Sequence, residues 1–117
     1  MKKIYYLSSC DTCKRILNEL KPLVDIELQD IKSDPINTEQ LKVMRNLAGS
    51  YEALFSKRAR LFSERQLKHQ QLQEKDYETL ILEHYTFLKR PVILVNNQIF
   101  IGNSKKVIAK AKETIDS

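Results

Sequence analysis

The only two cysteines of this 117-residue chain, Cys10 and Cys13, stand three positions apart. A short apolar run, Ile4-Tyr5-Tyr6-Leu7, gives way there to a helical pattern that begins near Thr12. Two thiols on a strand-to-helix turn must share the mouth of one helix, and such a Cys-x-x-Cys reads as a redox motif. The first helical turn supplies unpaired N–H groups and the positive end of the macrodipole, both of which stabilise a thiolate on Cys10. Lys14 and Arg15 add positive charge within one turn, so the Cys10 pKa is expected below that of a free thiol. Cys13 can reach back to close a disulfide or to resolve an adduct on Cys10.

Free cysteine also packs as a small hydrophobe, but that does not explain why both thiols share one turn just after a strand. A zinc site needs four ligands. Only His69 and His84 could complete one, and their spacing makes no recognisable pair, so no metal is expected. Met1-Lys2-Lys3 is followed by only four apolar residues before the serines, too short a run for a secretory leader. The cytoplasm is therefore the expected location, where thiols stay reduced unless they cycle.

The length suits one domain with a modest core, and no apolar run approaches the roughly 18 residues of a membrane span. A net charge of +5 is compatible with an anionic substrate, nucleic acid or an acidic partner. From charge alone a solvated lysine-rich surface is the preferred explanation, and no nucleic-acid recognition motif accompanies the basic residues.

Lys3 to Leu7 reads as a buried strand. Ile16, Leu17 and Leu20 form the stripe of a helix over Thr12 to Lys21, with Pro22 beyond it. Val24, Ile26 and Leu28 alternate with acids as in a half-buried strand, which makes a right-handed βαβ unit. Asn37 with Gln40 forms a capping box ahead of Leu41, Met44 and Leu47, and Gly49 ends that helix. Ser50 to Phe55 reads as a short helix and Ser56 to Arg60 as a basic loop, while Ser63 to Lys75 shows little periodicity. Asp76 is the expected cap of a helix using Tyr77, Leu80, Ile81, His84, Tyr85 and Leu88. Val92–Val95 and Gln98–Ile101 flank Asn96-Asn97 as a hairpin with a type I′ turn. Asn103 or Ser104 caps a last helix from about Lys105 to Ile115. The order βαβ, helical insert, ββα is a thioredoxin-like α/β arrangement. It implies a mixed four-stranded sheet flanked by helices, in a single domain of residues 1–117 with an insert over about 36–88.

Cys10-x-x-Cys13 after the first strand, together with Phe87-Leu88-Lys89-Arg90-Pro91-Val92-Ile93 before a hairpin, resembles the arsenate reductase (ArsC)/Spx family over nearly the whole chain. The resemblance implies an anion pocket beside Cys10 as nucleophile, with Cys13 as resolving thiol. Arg90 matches the arginine that faces the cysteine, and Pro91 matches a proline expected to be cis. Arg58 resembles a basic loop residue of the Spx-like branches, while Arg60 reads as a bystander. Thr12 and Lys14 complete the expected anion-binding set. In arsenate reduction, guanidinium forks would neutralise the oxyanion while the thiolate attacks arsenic.

Three positions depart from the arsenate reductases: Cys13 stands where they carry serine, Tyr6 at their histidine, and Gly102 at about their third arginine. The leading expectation is a monomeric thiol oxidoreductase acting on arsenate or another small oxyanion or thiol substrate. It would need no cofactor, and electrons would come from glutathione, glutaredoxin or thioredoxin. The rival is an Spx-like regulator in which the same cysteines switch binding to RNA polymerase.

Overall fold

The computed structural model describes residues 2–117. The chain divides into two compact units, one built from the residues up to Asp34 together with Arg90–Ser117, the other from Pro35–Lys89.

The first unit holds β1 (Lys2–Tyr6), α1 (Asp11–Glu19), β2 (Glu27–Asp30), β3 (Val92–Val95), β4 (Gln98–Ile101) and α5 (Lys105–Asp116). Its four strands lie in the order β2-β1-β3-β4. β1 runs parallel to β2 and antiparallel to β3, and β3 and β4 form the hairpin. The expected mixed sheet is what forms, and its register follows from the alternation of side chains across each strand. Ile4 lies opposite Ile93. On that face both pack with Val95 against Ile16 of α1 and its C-cap residue Leu20, and against Ile108, Ala111 and Ile115 of α5. The other face of the sheet carries Tyr5, Val92 and Leu94, which are also buried. Two lysines tie helix ends to this layer. Lys112 Nζ donates to the carbonyl of Glu19 at 2.9 Å, and Lys2 Nζ donates to that of Ile115 at 3.0 Å. A cation there satisfies the orphan carbonyls of a C-terminus.

The second strand differs from its sequence reading. Val24 and Leu28 are 64% and 42% exposed, and the buried side chain of β2 is Gln29 at 6%. Asp25 takes a left-handed conformation (φ 58°), so a turn separates Val24 from the strand. β2 lies at the edge of the sheet, and its inward polar position is satisfied because Gln29 Nε2 donates to the Asp34 carbonyl at 2.8 Å. In the hairpin, only Asn96 has positive φ (56°), whereas a type I′ turn asks it of both turn residues. Ser104 caps α5 by accepting from Val107 N.

The second unit holds α2 (Thr38–Ala48), α3 (Arg60–Glu64) and α4 (Glu74–Glu83), with short 3-10 turns at Glu52–Leu54, Leu67–His69 and Tyr85–Phe87. The capping box of α2 is complete. Gln40 N donates to Asn37 Oδ1 at 2.8 Å, and Asn37 N to Gln40 Oε1 at 3.1 Å. Gly49 closes the helix at φ 97°, a conformation that glycine adopts without steric cost.

Two expectations for α4 are corrected. Its cap is Gln73, and Asp76 sits three residues later as the reciprocal partner, accepting from Gln73 N at 2.8 Å. The helix also stops at Glu83. His84 is extended (φ −149°, ψ 132°), and its Nδ1 accepts from Thr86 N, which starts a separate turn over Tyr85–Phe87. The stretch without periodicity is also more structured than expected, since the turn at Leu67–His69 buries Leu67. The centre of this unit is aromatic. The Phe55 ring lies 5.3 Å from Phe87 in a stack, 4.8 Å from Tyr77 and 5.9 Å from Phe62.

Candidate active site

Leu7 is the hinge between strand and helix. Its carbonyl accepts from Cys10 N at 3.1 Å, and the Cys10 carbonyl then accepts from Lys14 N at 3.1 Å to open α1. Cys10 is therefore the N-cap residue of α1, in extended conformation (φ −99°, ψ 116°). The amphipathic pattern of α1 turns Cys13 inward beside Ile16. Cys13 is 1% exposed, whereas Cys10 is half-buried, and both are free thiols.

The two thiols are held under opposite conditions. Partial burial pushes the Cys10 thiol up, but several groups outweigh it. They are the amide and side chain of Cys13, the amide of Thr12 and the guanidinium of Arg90, and together they leave the Cys10 pKa below that of an ordinary thiol. These first-turn amides favour the thiolate as hydrogen-bond donors at the positive end of the helix dipole. Burial pushes the Cys13 thiol up to about 11, and a charge on Cys10 reinforces that rise against the amide of Leu7 and the guanidinium of Arg90. A proton shared between the sulfurs therefore belongs to Cys13, and the Cys13 S–H can donate to a Cys10 thiolate.

The structure brings Cys10, Cys13 and Arg90 together: Arg90, half-buried at the entry to β3, acts electrostatically on both sulfurs. The Arg90–Pro91 peptide bond is cis and Pro91 is buried. Thr12 contributes its amide, with a half-buried side chain, and Lys14 is exposed on α1. Arg15 faces Glu19 at 3.8 Å. Tyr6 is half-buried at the end of β1, and Gly102 N donates to the Pro91 carbonyl at 3.0 Å. Arg58 lies in the other unit, exposed in the turn before α3. Arg60 is exposed and paired with Glu64 at 2.8 Å. Among the described residues no three His, Cys, Asp or Glu side chains gather as metal ligands, and no helix is long and apolar enough to cross a membrane.

One residue beside this cluster went unmarked by sequence reasoning. Asp30 closes β2, and its Oδ1 accepts from Ser8 N at 3.2 Å. Nothing in the local pattern singles out this acid among its neighbours. The only available signal is topological, because parallel β1 and β2 end side by side at the edge where α1 begins.

A model of the ArsC family matches residues 5–111, a span that takes in both cysteines, Arg90 and Pro91. The chain belongs to the ArsC family. Among its sequence relatives, the global transcriptional regulator Spx 2 of Bacillus cereus is 26% identical over 109 residues, covering 92% of this chain and 83% of the relative. The global transcriptional regulator Spx of Bacillus subtilis is 24% identical over 115 residues, covering 94% and 86%. Among solved structures, an arsenate reductase from Vibrio cholerae matches with a TM-score of 0.78 at 19% identity, covering 97% of this chain and 96% of that one. An arsenate reductase (ArsC) related protein from Brucella melitensis matches with a TM-score of 0.71 at 20% identity, covering 90% and 88%. These likenesses establish the thioredoxin-like fold of the family, with its mixed four-stranded sheet and flanking helices.

Proposed function

We propose that the protein is a thiol-dependent oxidoreductase in which Cys10 is the nucleophile and Cys13 the resolving thiol. The observation that carries this reading is the contrast within one turn. A half-buried Cys10 is held below the ordinary thiol range, while a buried Cys13 is raised above it, with the charge of Arg90 on both. A thiolate at neutral pH needs a lowered pKa. A resolving thiol must stay protonated until the first sulfur has reacted, and burial of Cys13 provides that.

Arsenate is the substrate this reading favours. The Cys10 thiolate attacks arsenic, an arsenate oxygen leaves as water after protonation, and an S–As(V) bond forms. A second thiol then gives its proton to an oxygen on arsenic and attacks Cys10 Sγ. The S–As electron pair passes to arsenic, which departs as arsenite, and an S–S bond forms. Two thiols lose two electrons and arsenic gains two. With Cys13 as the second thiol the product is a Cys10–Cys13 disulfide, and with glutathione it is a mixed disulfide. Glutaredoxin or thioredoxin then returns the electrons. Arg90 is suited to offset the charge of the oxyanion as the thiolate approaches, and Thr12 N–H lies at the same helix mouth. Lys14 is assigned only supporting charge. This chemistry asks for no metal or organic cofactor, and we place it in the cytoplasm in a monomer.

A second reading has specific support: the two sequence relatives named above are transcriptional regulators, and the same pair of cysteines suits a redox switch controlling contact with RNA polymerase. The deciding experiment is NADPH-coupled reduction of arsenate with glutathione/glutaredoxin and with thioredoxin, using Cys10→Ser as control. Turnover that vanishes in Cys10→Ser supports the enzyme and identifies its donor. No turnover with either donor, together with redox-dependent co-purification with RNA polymerase, would replace the enzyme by the regulator.

A further inference from the structure

The loop that presents Cys10 is only Ser8-Ser9 long, and it is pinned at both ends. At its far end Cys10 N donates to the Leu7 carbonyl. At its near end Ser8 N donates to Asp30 Oδ1 at 3.2 Å, and the same oxygen accepts from Lys32 N at 3.2 Å. Asp30 is itself fixed by the backbone around it. Ile31 N donates to the Tyr6 carbonyl at 2.9 Å, Asp34 N to the Asp30 carbonyl at 2.8 Å, and Ser33 Oγ to that same carbonyl at 3.4 Å. Its carboxylate thus stands on a braced strand end and holds the backbone of the loop that carries the nucleophile.

We propose that Asp30 is a positioning residue for the Cys10 site, its carboxylate tying the Ser8 amide to the end of β2 and so fixing where Cys10 stands at the mouth of α1. The inference rests on the reading of Cys10 as an activated thiolate and adds the element that sets its geometry. Ser8 sits next to Leu7, whose carbonyl orients Cys10 and whose amide faces Cys13. A loosened Ser8 therefore moves the reference point of both sulfurs. Dipole stabilisation by first-turn amides falls off within that turn, so a small displacement of Cys10 costs it thiolate character. The hydrogen bonds from Ser8, outweighing a smaller opposing push from burial, hold the Asp30 carboxyl below its ordinary range, and the amide of Lys32 and the hydroxyl of Ser33 add to them. Asp30 is accordingly a charged acceptor throughout the pH range in which the thiols titrate.

The test is the pH profile of Cys10 alkylation by iodoacetamide in reduced full-length protein, for wild type, Asp30→Ala and Asp30→Asn. Asparagine keeps an Oδ1 acceptor for Ser8 N, whereas alanine removes it. The Ile31–Tyr6 ladder bond is untouched in either variant. Wild-type Cys10 is expected to react at pH 7 faster than a free thiol, and Asp30→Ala at least about threefold more slowly than wild type, with the two rates converging at alkaline pH. Asp30→Asn is expected to stay within about twofold of wild type. A merely structural role would lower the melting temperature of Asp30→Ala without moving the profile. A profile for Asp30→Ala that overlays an activated wild-type profile overturns the positioning role. An ordinary thiol profile in wild type overturns the activated-thiolate reading instead. Hydrogen exchange at the Ser8 amide provides a test that needs no variant, since rapid exchange in folded wild type also overturns the proposal.

Discussion

Cys13 lies one helical turn beyond Cys10 and is 1% exposed, while Cys10 caps the same helix half-buried, with the charge of Arg90 acting on both sulfurs. Alkylation should therefore discriminate sharply between them. At pH 7 Cys10 is expected to be modified at least about tenfold faster than Cys13, because both thiolate fraction and access favour it. Mass mapping of reduced protein after brief exposure to iodoacetamide checks this. Equal, slow labelling of both sites would remove the activated thiolate from the account.

Cys13 also makes stability depend on pH. Its folded pKa is raised by burial to about 11 from an ordinary 9.0, so the neutral thiol is the form the fold favours. The stabilisation is fully present below the unfolded value and is lost as pH rises from about 9 through 11, where the unfolded chain gives up its proton first. Burial raises Tyr5, Tyr51 and Tyr77 as well, so these tyrosines also contribute to the alkaline loss. Urea unfolding of reduced protein at pH 8 and pH 10.5 should show a smaller drop for Cys13→Ala than for wild type. An equal drop would mean that Cys13 ionises as easily in the folded protein as in the unfolded chain.

Arg90→Gln removes the guanidinium that acts on both thiols. The Cys10 pKa is expected to rise, and its alkylation at pH 7 to slow by about two- to fivefold, less at high salt because the interaction is screened at a half-exposed site. If the oxyanion reading holds, arsenate turnover should fall further than alkylation, since the forked donor is lost along with the charge. Arg90→Lys should restore more of the thiol reactivity than of the turnover. Comparing the two rates across the two variants separates the electrostatic contribution from the binding contribution.

The sheet and its helices were legible in the chain because their signals are local. The apolar runs of β1 and β3, the Asn37/Gln40 box, Gly49 and the Asn96-Asn97 turn each act within a few residues. The corrections fall where a distant partner decides. Gln29 is buried and Leu28 exposed because β2 is an edge strand and because Asp34 offers Gln29 a carbonyl. His84 leaves α4 because its ring accepts from Thr86 N, a local alternative that competes with continuing the helix. Cys10 and Cys13 were readable from motif spacing, and Arg90 only through the family resemblance. Asp30 was not, since its role depends on β1 and β2 ending side by side.

The capping box of α2 offers a clean measurement of such local coding. Its two bonds are reciprocal, at 2.8 and 3.1 Å, and both lie in solvent. Asn37→Ala should cost about 1 kcal/mol in urea unfolding. Gln40→Ala should cost less, because it leaves the Asn37 cap in place. If the bonds act as a unit, the double variant should cost less than the sum of the two single variants. Strict additivity would indicate two independent bonds.

The aromatic centre of the second unit should respond on a larger scale. Phe55 and Phe87 are almost fully buried and stacked at 5.3 Å, with Tyr77 at 4.8 Å from Phe55. Phe55→Ala removes the ring that touches all the others and leaves a void that neighbouring rings, each held by its own backbone, cannot close. The expected loss is about 3–5 kcal/mol. Phe55→Leu keeps part of the volume but none of the ring–ring geometry, and should fall between alanine and wild type. Tyr77 provides a built-in reporter, because its hydroxyl donates to Glu52 Oε2 at 3.4 Å while its ring packs on Phe55. Burial and the neighbouring Glu52 carboxylate raise its pKa. Loss of Phe55 should let water reach the phenol, so that it titrates nearer its ordinary range. Ultraviolet titration of Phe55→Leu against wild type reads this directly. An unchanged tyrosine titration alongside the loss of stability would mean that the ring of Phe55 supports the packing but does not shield Tyr77.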